Sequence, residues 1–331
     1  MHSARRKAIA LLSGGLDSAL AAKMVKDQGI EVVGLHLLSP FGCLEEVEKV
    51  AEELGVRLLL KEKGEAFLNL VENPKYGYGS AINPCIDCRI FMFELAKKVM
   101  EEEKADFIVT GEVLGQRPMS QQRGSMKKID KESPIEGLVL RPLSAHKFEP
   151  TIPEQNGWVD REKLLGIWGR GRKDQLALAK EWGLTKFKSP GGGCLLTEQA
   201  FAKRLHDFFE HKTYTTSEER MAQSQMLRYG RHFRVADGVK AIVGRNESEN
   251  HQLEKLWPAA GGTLLRPENF DGPSAIVFGD AQTHRQTIGA ILARYGKGPA
   301  LRTVYIDNRQ ENAVFNVEKE VSESELGQMR I

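Results

Sequence analysis

The sequence predicts an α/β protein: a doubly wound parallel sheet followed by a second, smaller α+β domain. Three observations carry this reading. Short apolar runs alternate with stretches of helical periodicity through the first 110 residues. A Ser-Gly-Gly turn, Ser13 to Gly15, separates the first run from the first helical stretch. Beyond about residue 195 the alternation gives way to short strand candidates divided by Gly and Pro.

Taken in order, residues 8–12 read as a strand and residues 17–27 carry apolar side chains at helical spacing. A second strand is expected over 31–38 after Gly29, a helix over 43–54, and a third strand over 56–60 after Gly55. A long helix over 88–103 then precedes a strand at 107–110. Strands that alternate with helices pair in parallel, because a parallel neighbour needs a crossover long enough to hold a helix. Right-handed crossovers cover both faces of the sheet and leave the ligand site at the carboxyl ends of the strands. Further on, helices are expected over 198–209 and 217–229, with strands near Phe233 and over 241–243, 263–265 and 274–278. The tail from Asn316 reads as a peripheral strand or a partly disordered segment. On these grounds the domains are set at 1–197 and 198–331.

Composition removes several classes. With 47 basic against 45 acidic side chains and 41% hydrophobic residues in 331, the chain is neither disordered nor collagen-like, and no nucleic-acid tail can be read from its charge. Its apolar runs fall far short of the roughly 20 residues that cross a bilayer. The first seven residues lead straight into a strand, so no signal peptide and a cytoplasmic location without membrane attachment are expected. Four cysteines in so long a chain cannot form a disulfide framework; metal binding, catalysis or burial are their expected uses.

Ser13-Gly14-Gly15-Leu16-Asp17-Ser18 lies between the first strand and the first helix. Its glycines let backbone amides approach a polyphosphate, Ser13 and Ser18 offer hydroxyls, and the helix start offers unpaired N–H groups. Asp17 would repel phosphate unless a magnesium ion bridged the two. Taken alone, a Gly-Gly turn before a helix is more often a tight turn. The hexapeptide as a whole resembles the S-G-G-x-D-S loop of the PP-loop ATP pyrophosphatase superfamily, whose fold is of the adenine nucleotide alpha hydrolase kind. That resemblance implies that Ser13, Gly14, Gly15, Asp17 and Ser18 hold the pyrophosphate of ATP with Mg2+. It further implies that a substrate carbonyl is adenylated and its oxygen then displaced.

Cys85 and Cys88 stand three apart at the start of a helix, where the thiol pKa falls, and Cys194 follows the glycine run Gly191 to Gly193. Cys43 is expected to be a small buried side chain. Asn-Pro-Cys-x-x-Cys, at Asn83 to Cys88, resembles the catalytic segment of tRNA 2-thiouridine synthetases. Val109 to Gln116, with Ser120-Gln121, Arg141-Pro142-Leu143 and a cysteine near Cys194, resembles tRNA 4-thiouridine synthetases. By this resemblance Gly111, Glu112 and Gln116 lie near the adenylate or the target base. The likeness spans about residues 7–197 and does not extend to the THUMP-containing and rhodanese regions of the 4-thiouridine enzymes. Two chemistries fit three thiols: a persulfide resolved as a disulfide, or a [4Fe-4S] cluster on Cys85, Cys88 and Cys194 whose fourth iron holds the sulfide. The cluster is preferred here; a zinc site completed by Cys43 or a histidine is the plainer alternative.

Basic and aromatic residues mix at Trp168, Arg170, Arg172, Lys173, Lys180, Trp182, Lys186, Phe187 and Lys188, a composition that suits an RNA backbone and unstacked bases as well as it suits an ordinary amphipathic helix. A second basic set is Arg220, Arg228, Arg231, His232 and Arg234. Val243-Gly244-Arg245-Asn246, with Asn250 and Asp271 to Ser274, reads locally as a turn and helix cap at Asn246. It resembles the NFACT RNA-binding domain over about residues 235–300. Together these resemblances imply an ATP-dependent tRNA sulfurtransferase that adenylates a uridine carbonyl. The implied catalytic residues are Asp17, Cys85, Cys88 and Cys194, and the implied partners are tRNA and a sulfur donor such as a cysteine desulfurase or free sulfide. The rival readings are a PP-loop enzyme inserting sulfur into, or transferring an amide to, a small molecule, and an RNA-binding module with a decayed ATP site.

Overall fold

In a computed structural model of the chain, residues 6–41, 45–187, 194–309 and 312–331 are described. The expectations for Cys43 and for the glycine run before Cys194 lie outside them. The chain divides into two compact units, Met1–Cys194 and Leu195–Ile331.

The first unit runs β1 (Lys7–Leu11), α1 (Leu16–Lys26), β2 (Glu31–Leu38), α2 (Glu45–Leu54), β3 (Arg57–Glu62), α3 (Gly64–Glu72), α4 (Cys85–Glu102), β4 (Phe107–Thr110), α5 (Arg123–Glu132), β5 (Val139–Leu140), α6 (Ile152–Gln155) and α7 (Lys173–Glu181). Its five strands pair in parallel in the order β3-β2-β1-β4-β5. Side chains alternate across β1: Ala8 and Ala10 face a layer of α1, α2 and α7, whereas Ile9 and Leu11 face α4 and α5. The sheet is therefore covered on both faces, as a doubly wound fold requires. The order reverses between β1 and β4, which makes the crevice at their carboxyl ends the switch point where ligands bind in this architecture.

The second unit runs α8 (Gln199–His211), α9 (Ser217–Met226), β6 (Arg231–Ala236), β7 (Val239–Val243), α10 (Glu247–Ala260), β8 (Thr263–Pro267), β9 (Ala275–Phe278), α11 (Arg285–Tyr295), β10 (Thr303–Asp307), β11 (Asn312–Asn316) and α12 (Glu323–Met329). Its antiparallel sheet has the order β11-β10-β8-β9-β7-β6. Ala275 and Val277 face α11 and α12; Ile276 and Phe278 face α9 and α10.

Several expectations shift. The cysteine helix begins at Cys85 rather than Cys88, because Pro84 caps it and its fixed φ suits a helix start. Helices α3 and α5 were not anticipated. The tail holds α12, begun by Ser322 and Glu325 in a reciprocal capping box. Leu35 in β2 is fully buried between α4 and its neighbours on one face of the parallel sheet. Leu35→Ala is expected to cost about 2–5 kcal/mol by leaving a cavity there, measurable as a lower urea midpoint.

Candidate active site

The turn after β1 is held by its own hydroxyls. Ser13 N donates to Ser18 Oγ at 3.2 Å, the two hydroxyls lie 3.2 Å apart, and Ser18 Oγ donates to the Gly15 carbonyl at 2.8 Å. Gly14 sits at φ +75°, a conformation that a residue with a Cβ rarely adopts. Gly15 occupies the N-cap of α1 with no side chain closing it, so the first N–H groups of the helix point outward with the positive end of the dipole. His36, at the end of β2, donates from Nδ1 to the Leu12 carbonyl at 2.8 Å and braces the turn from behind. Burial pushes His36 below its ordinary pKa and the nearby Lys63 adds to this, while the Leu12 carbonyl opposes it. Neutral imidazole is the form this site favours.

Asp17 is the focus of the crevice. Its Oδ2 accepts from Gln116 Nε2 at 2.6 Å and lies 3.6 Å from Arg172 Nη1. Its Oδ1 is buried without a hydrogen-bond partner. A buried carboxylate oxygen lacking a donor is the kind of atom that a hard cation takes, so the residues present fit magnesium. Gln116 in turn accepts from Gln175 Nε2 at 3.3 Å, and Gln175, on α7, is fully buried.

The segment after β4 packs straight onto the start of α1. A Cβ on Gly111 would stand 2.5 Å from the Asp17 carbonyl carbon and 2.6 Å from its oxygen, so only glycine fits there. The next residue, Glu112, is 2% exposed. It lies between two arginines: Arg89 Nε is 3.1 Å from Oε1, and Arg141 Nε donates to Oε2 at 3.0 Å. Arg141 also grips Asp130 with both terminal nitrogens, at 3.0 and 2.6 Å. Burial alone would raise the Glu112 pKa, but the two guanidinium charges win and hold the carboxyl below its usual range.

Arg89 follows Cys88, so this network fixes the start of the cysteine helix against the β4 segment. Against the expected fall at a helix start, the Cys85 thiol is pushed up to about 11, by burial first and then by the charges of Cys194 and Cys88. Cys194, over a hundred positions away in sequence, is thus within electrostatic reach of the pair. Lys63, just beyond β3, donates from Nζ to Cys88 Sγ at 3.7 Å. Asp87 accepts from the amides of Lys75 and Tyr76 at 3.0 and 3.1 Å and ties down the preceding loop. Among the described residues, no three His, Cys, Asp or Glu side chains meet closely enough to hold one metal ion.

The basic-aromatic stretch divides. Trp182 and Phe187 pack against the core beneath α1 and α2, so that half is an ordinary amphipathic helix. Trp168 remains exposed. In the second basic set, His232 is buried, Arg231 stacks over Tyr295 at 4.3 Å, and Arg234 and Lys240 both bond Asp207 at 2.7 Å. That set largely builds the second unit rather than presenting a cationic face. Asn246 caps α10 by accepting from Glu249 N at 3.0 Å, and Asn250 Oδ1 accepts from Ser274 N at 3.2 Å. The two asparagines therefore lock one segment to the other. Sequence reasoning missed Arg89, His36 and Lys63; only their places beside Cys88 and at strand ends hinted at a role.

Residues 3–151 match the family described as thiamine biosynthesis protein (ThiI), and residues 230–329 match the NFACT protein RNA binding domain. A probable tRNA sulfurtransferase of Thermococcus kodakarensis is 31% identical over 196 residues, covering 53% of this chain and 51% of the relative. A tRNA-specific 2-thiouridylase MnmA of Natranaerobius thermophilus is 31% identical over 128 residues, 32% of this chain and 34% of that protein. The chain spans between about a third and about half of the length of the curated relatives it matches. Among solved structures, a 4-thiouridine synthetase in complex with RNA and ATP aligns at 21% identity and a TM-score of 0.39, over 66% of this chain and 53% of the other.

Two outcomes are expected from the β4 segment. Gly111→Ala forces the segment off α1 and lowers stability by about 1–3 kcal/mol in urea unfolding. Glu112→Gln leaves the buried Arg141 and the half-buried Arg89 undercompensated and costs about 3–5 kcal/mol near neutral pH. Because the folded carboxyl titrates below its ordinary 4.5, that stabilisation is present above this pH and is lost as pH falls through and below it. The gap between the two proteins should narrow in acid.

Proposed function

We propose that this chain, in which a ThiI-matched region precedes an NFACT-matched one, is an ATP-dependent tRNA sulfurtransferase. The observation that carries the reading is the meeting of a phosphate turn and a cysteine-bearing helix start at the carboxyl ends of the inner strands, joined by Gln116 to Asp17 and by Arg89 to Glu112. One without the other would suit many enzymes. Both together suit a reaction that activates an oxygen with ATP and replaces it with sulfur.

In this reading residues 1–197 form the catalytic domain and residues 198–331 help to hold RNA. Ser13, Gly14, Gly15 and Ser18 receive the β and γ phosphates on backbone amides and hydroxyls. Asp17 would hold magnesium through Oδ1, and the ion would neutralise charge on the departing pyrophosphate. The uridine carbonyl oxygen attacks the α phosphorus, the α–β bridging bond breaks, and pyrophosphate leaves. Sulfur from the cysteine site then adds at the ring carbon, and the oxygen departs with AMP. Gly111 lets the β4 segment close on the turn, and Gln116 and Arg172 orient Asp17. Cys85, Cys88 and Cys194 would hold a [4Fe-4S] cluster, which when bound supplies an iron with an open position for sulfide. Lys63 places a positive charge beside Cys88, where an incoming sulfide anion would be favoured. The partners are tRNA and a sulfur donor, either a cysteine desulfurase or free sulfide. No helix among the described residues is long and apolar enough to cross a membrane.

The test is AMP and pyrophosphate release with and without tRNA, together with mass spectrometry of the tRNA nucleosides. Release that depends on tRNA and yields a thiouridine is expected, and Asp17→Asn should slow it by about 100-fold or more. AMP release indifferent to tRNA would point instead to a small-molecule substrate. Anaerobically purified protein is expected to carry iron and acid-labile sulfide at about four each per chain, lost in Cys194→Ala and retained in Asp17→Asn. Zinc without iron would refute the cluster.

A further inference from the structure

Trp168 is 70% exposed, more than any other large apolar side chain among the described residues. Its backbone is nevertheless held on both sides. Ile167 N donates to the Leu143 carbonyl at 2.8 Å, and the Ile167 carbonyl accepts from Ser144 Oγ at 2.6 Å. Trp168 bridges Leu114 in parallel, and Gly169 N donates to the Leu114 carbonyl at 2.7 Å. Ser144 Oγ also receives the Leu114 amide at 3.1 Å, which closes the clamp. The indole therefore stands out from a fixed support that is continuous with the β4 segment of the active site.

The chain then turns at Gly169, with φ +85°, and leads through exposed Arg170 to Arg172, whose guanidinium reaches Asp17. Trp168 and Arg172 stand four positions apart, a span of at most about 14 Å. Lys173 beyond it is exposed as well. A rigid, planar, exposed ring with cations on the same short segment, one or two nucleotide lengths from the phosphate turn, has the parts of a single-strand RNA subsite. Aromatic faces stack unpaired bases, and cations follow the backbone. The exposed neighbours Arg170 and Lys173 are basic, which suits a base flanked by phosphates.

We infer that Trp168 is a stacking platform for an unpaired base of the RNA substrate adjacent to the reacting nucleotide, with Arg170 and Lys173 taking its backbone phosphates. This rests on the reading that the substrate is tRNA. It adds that the first unit itself grips the RNA, beside the chemistry, by unstacking and not by charge alone.

Full-length protein titrated with a tRNA transcript, followed by tryptophan fluorescence and by filter binding, tests it. Wild type is expected to be quenched on binding. Trp168→Ala should lose that quench and bind roughly 5- to 150-fold more weakly, the effect of one stacked base, whereas Trp168→Phe should keep most of the affinity. Unchanged tRNA affinity in Trp168→Ala overturns the platform alone, and weaker binding of a cysteine desulfurase in that variant would reassign the ring to a protein partner. Failure of wild type to bind tRNA at all removes the sulfurtransferase reading together with this one.

Discussion

The arrangement depends on one buried charge. Glu112 is enclosed, and a carboxylate enclosed alone would take up a proton. It stays ionised because Arg89 and Arg141 approach from opposite elements, one from the cysteine helix and one from beyond β5. Such pairs add little net stability when compared with apolar packing of the same volume, since the loss of hydration offsets most of the Coulomb gain. What they supply is geometry. A guanidinium must meet a carboxylate within a few tenths of an ångström, so Glu112 sets where the cysteine helix begins relative to the end of β4.

The same segment sets the other half of the site. Gly111 lies flat on Asp17 and Ser18, and Gln116 reaches Asp17 from five residues further on. One stretch of about six residues thus positions the phosphate turn on one side and the thiols on the other. Both are coupled to β1 and β4, inner strands of the sheet. Asp17 Oδ1 and Gln175 Oε1 are among the buried side-chain atoms that lack a hydrogen-bond partner. They are acceptors, and acceptors left vacant in a crevice await a cation or a donor from a ligand.

Much of this was legible in the sequence because it has a period or a punctuation. The apolar runs of β2 and β4 matched the structure residue for residue, since strands buried on both faces are continuous in hydrophobicity. The glycine turn and the Cys-x-x-Cys helix start were visible for the same reason. Helix α5 was not: its sequence is mostly polar and buries only Met126 and Ile129. The pairing of Arg89 and Arg141 with Glu112 was invisible because three charged residues scattered over fifty positions carry no pattern until the sheet brings them together. Trp168 and Trp182 look equivalent on paper, fourteen residues apart in one basic stretch; only packing separates the core ring from the exposed one.

The strand order has a consequence for how the protein comes into being. During synthesis β1 gains its second neighbour only once β4 has been made, and Arg172 and Cys194 follow later still. Until then the nascent polypeptide offers an open anion cradle with no carboxylate clamp and an incomplete set of thiols. In vectorial synthesis the parts of this crevice therefore come together late, after every strand of the first sheet has been made.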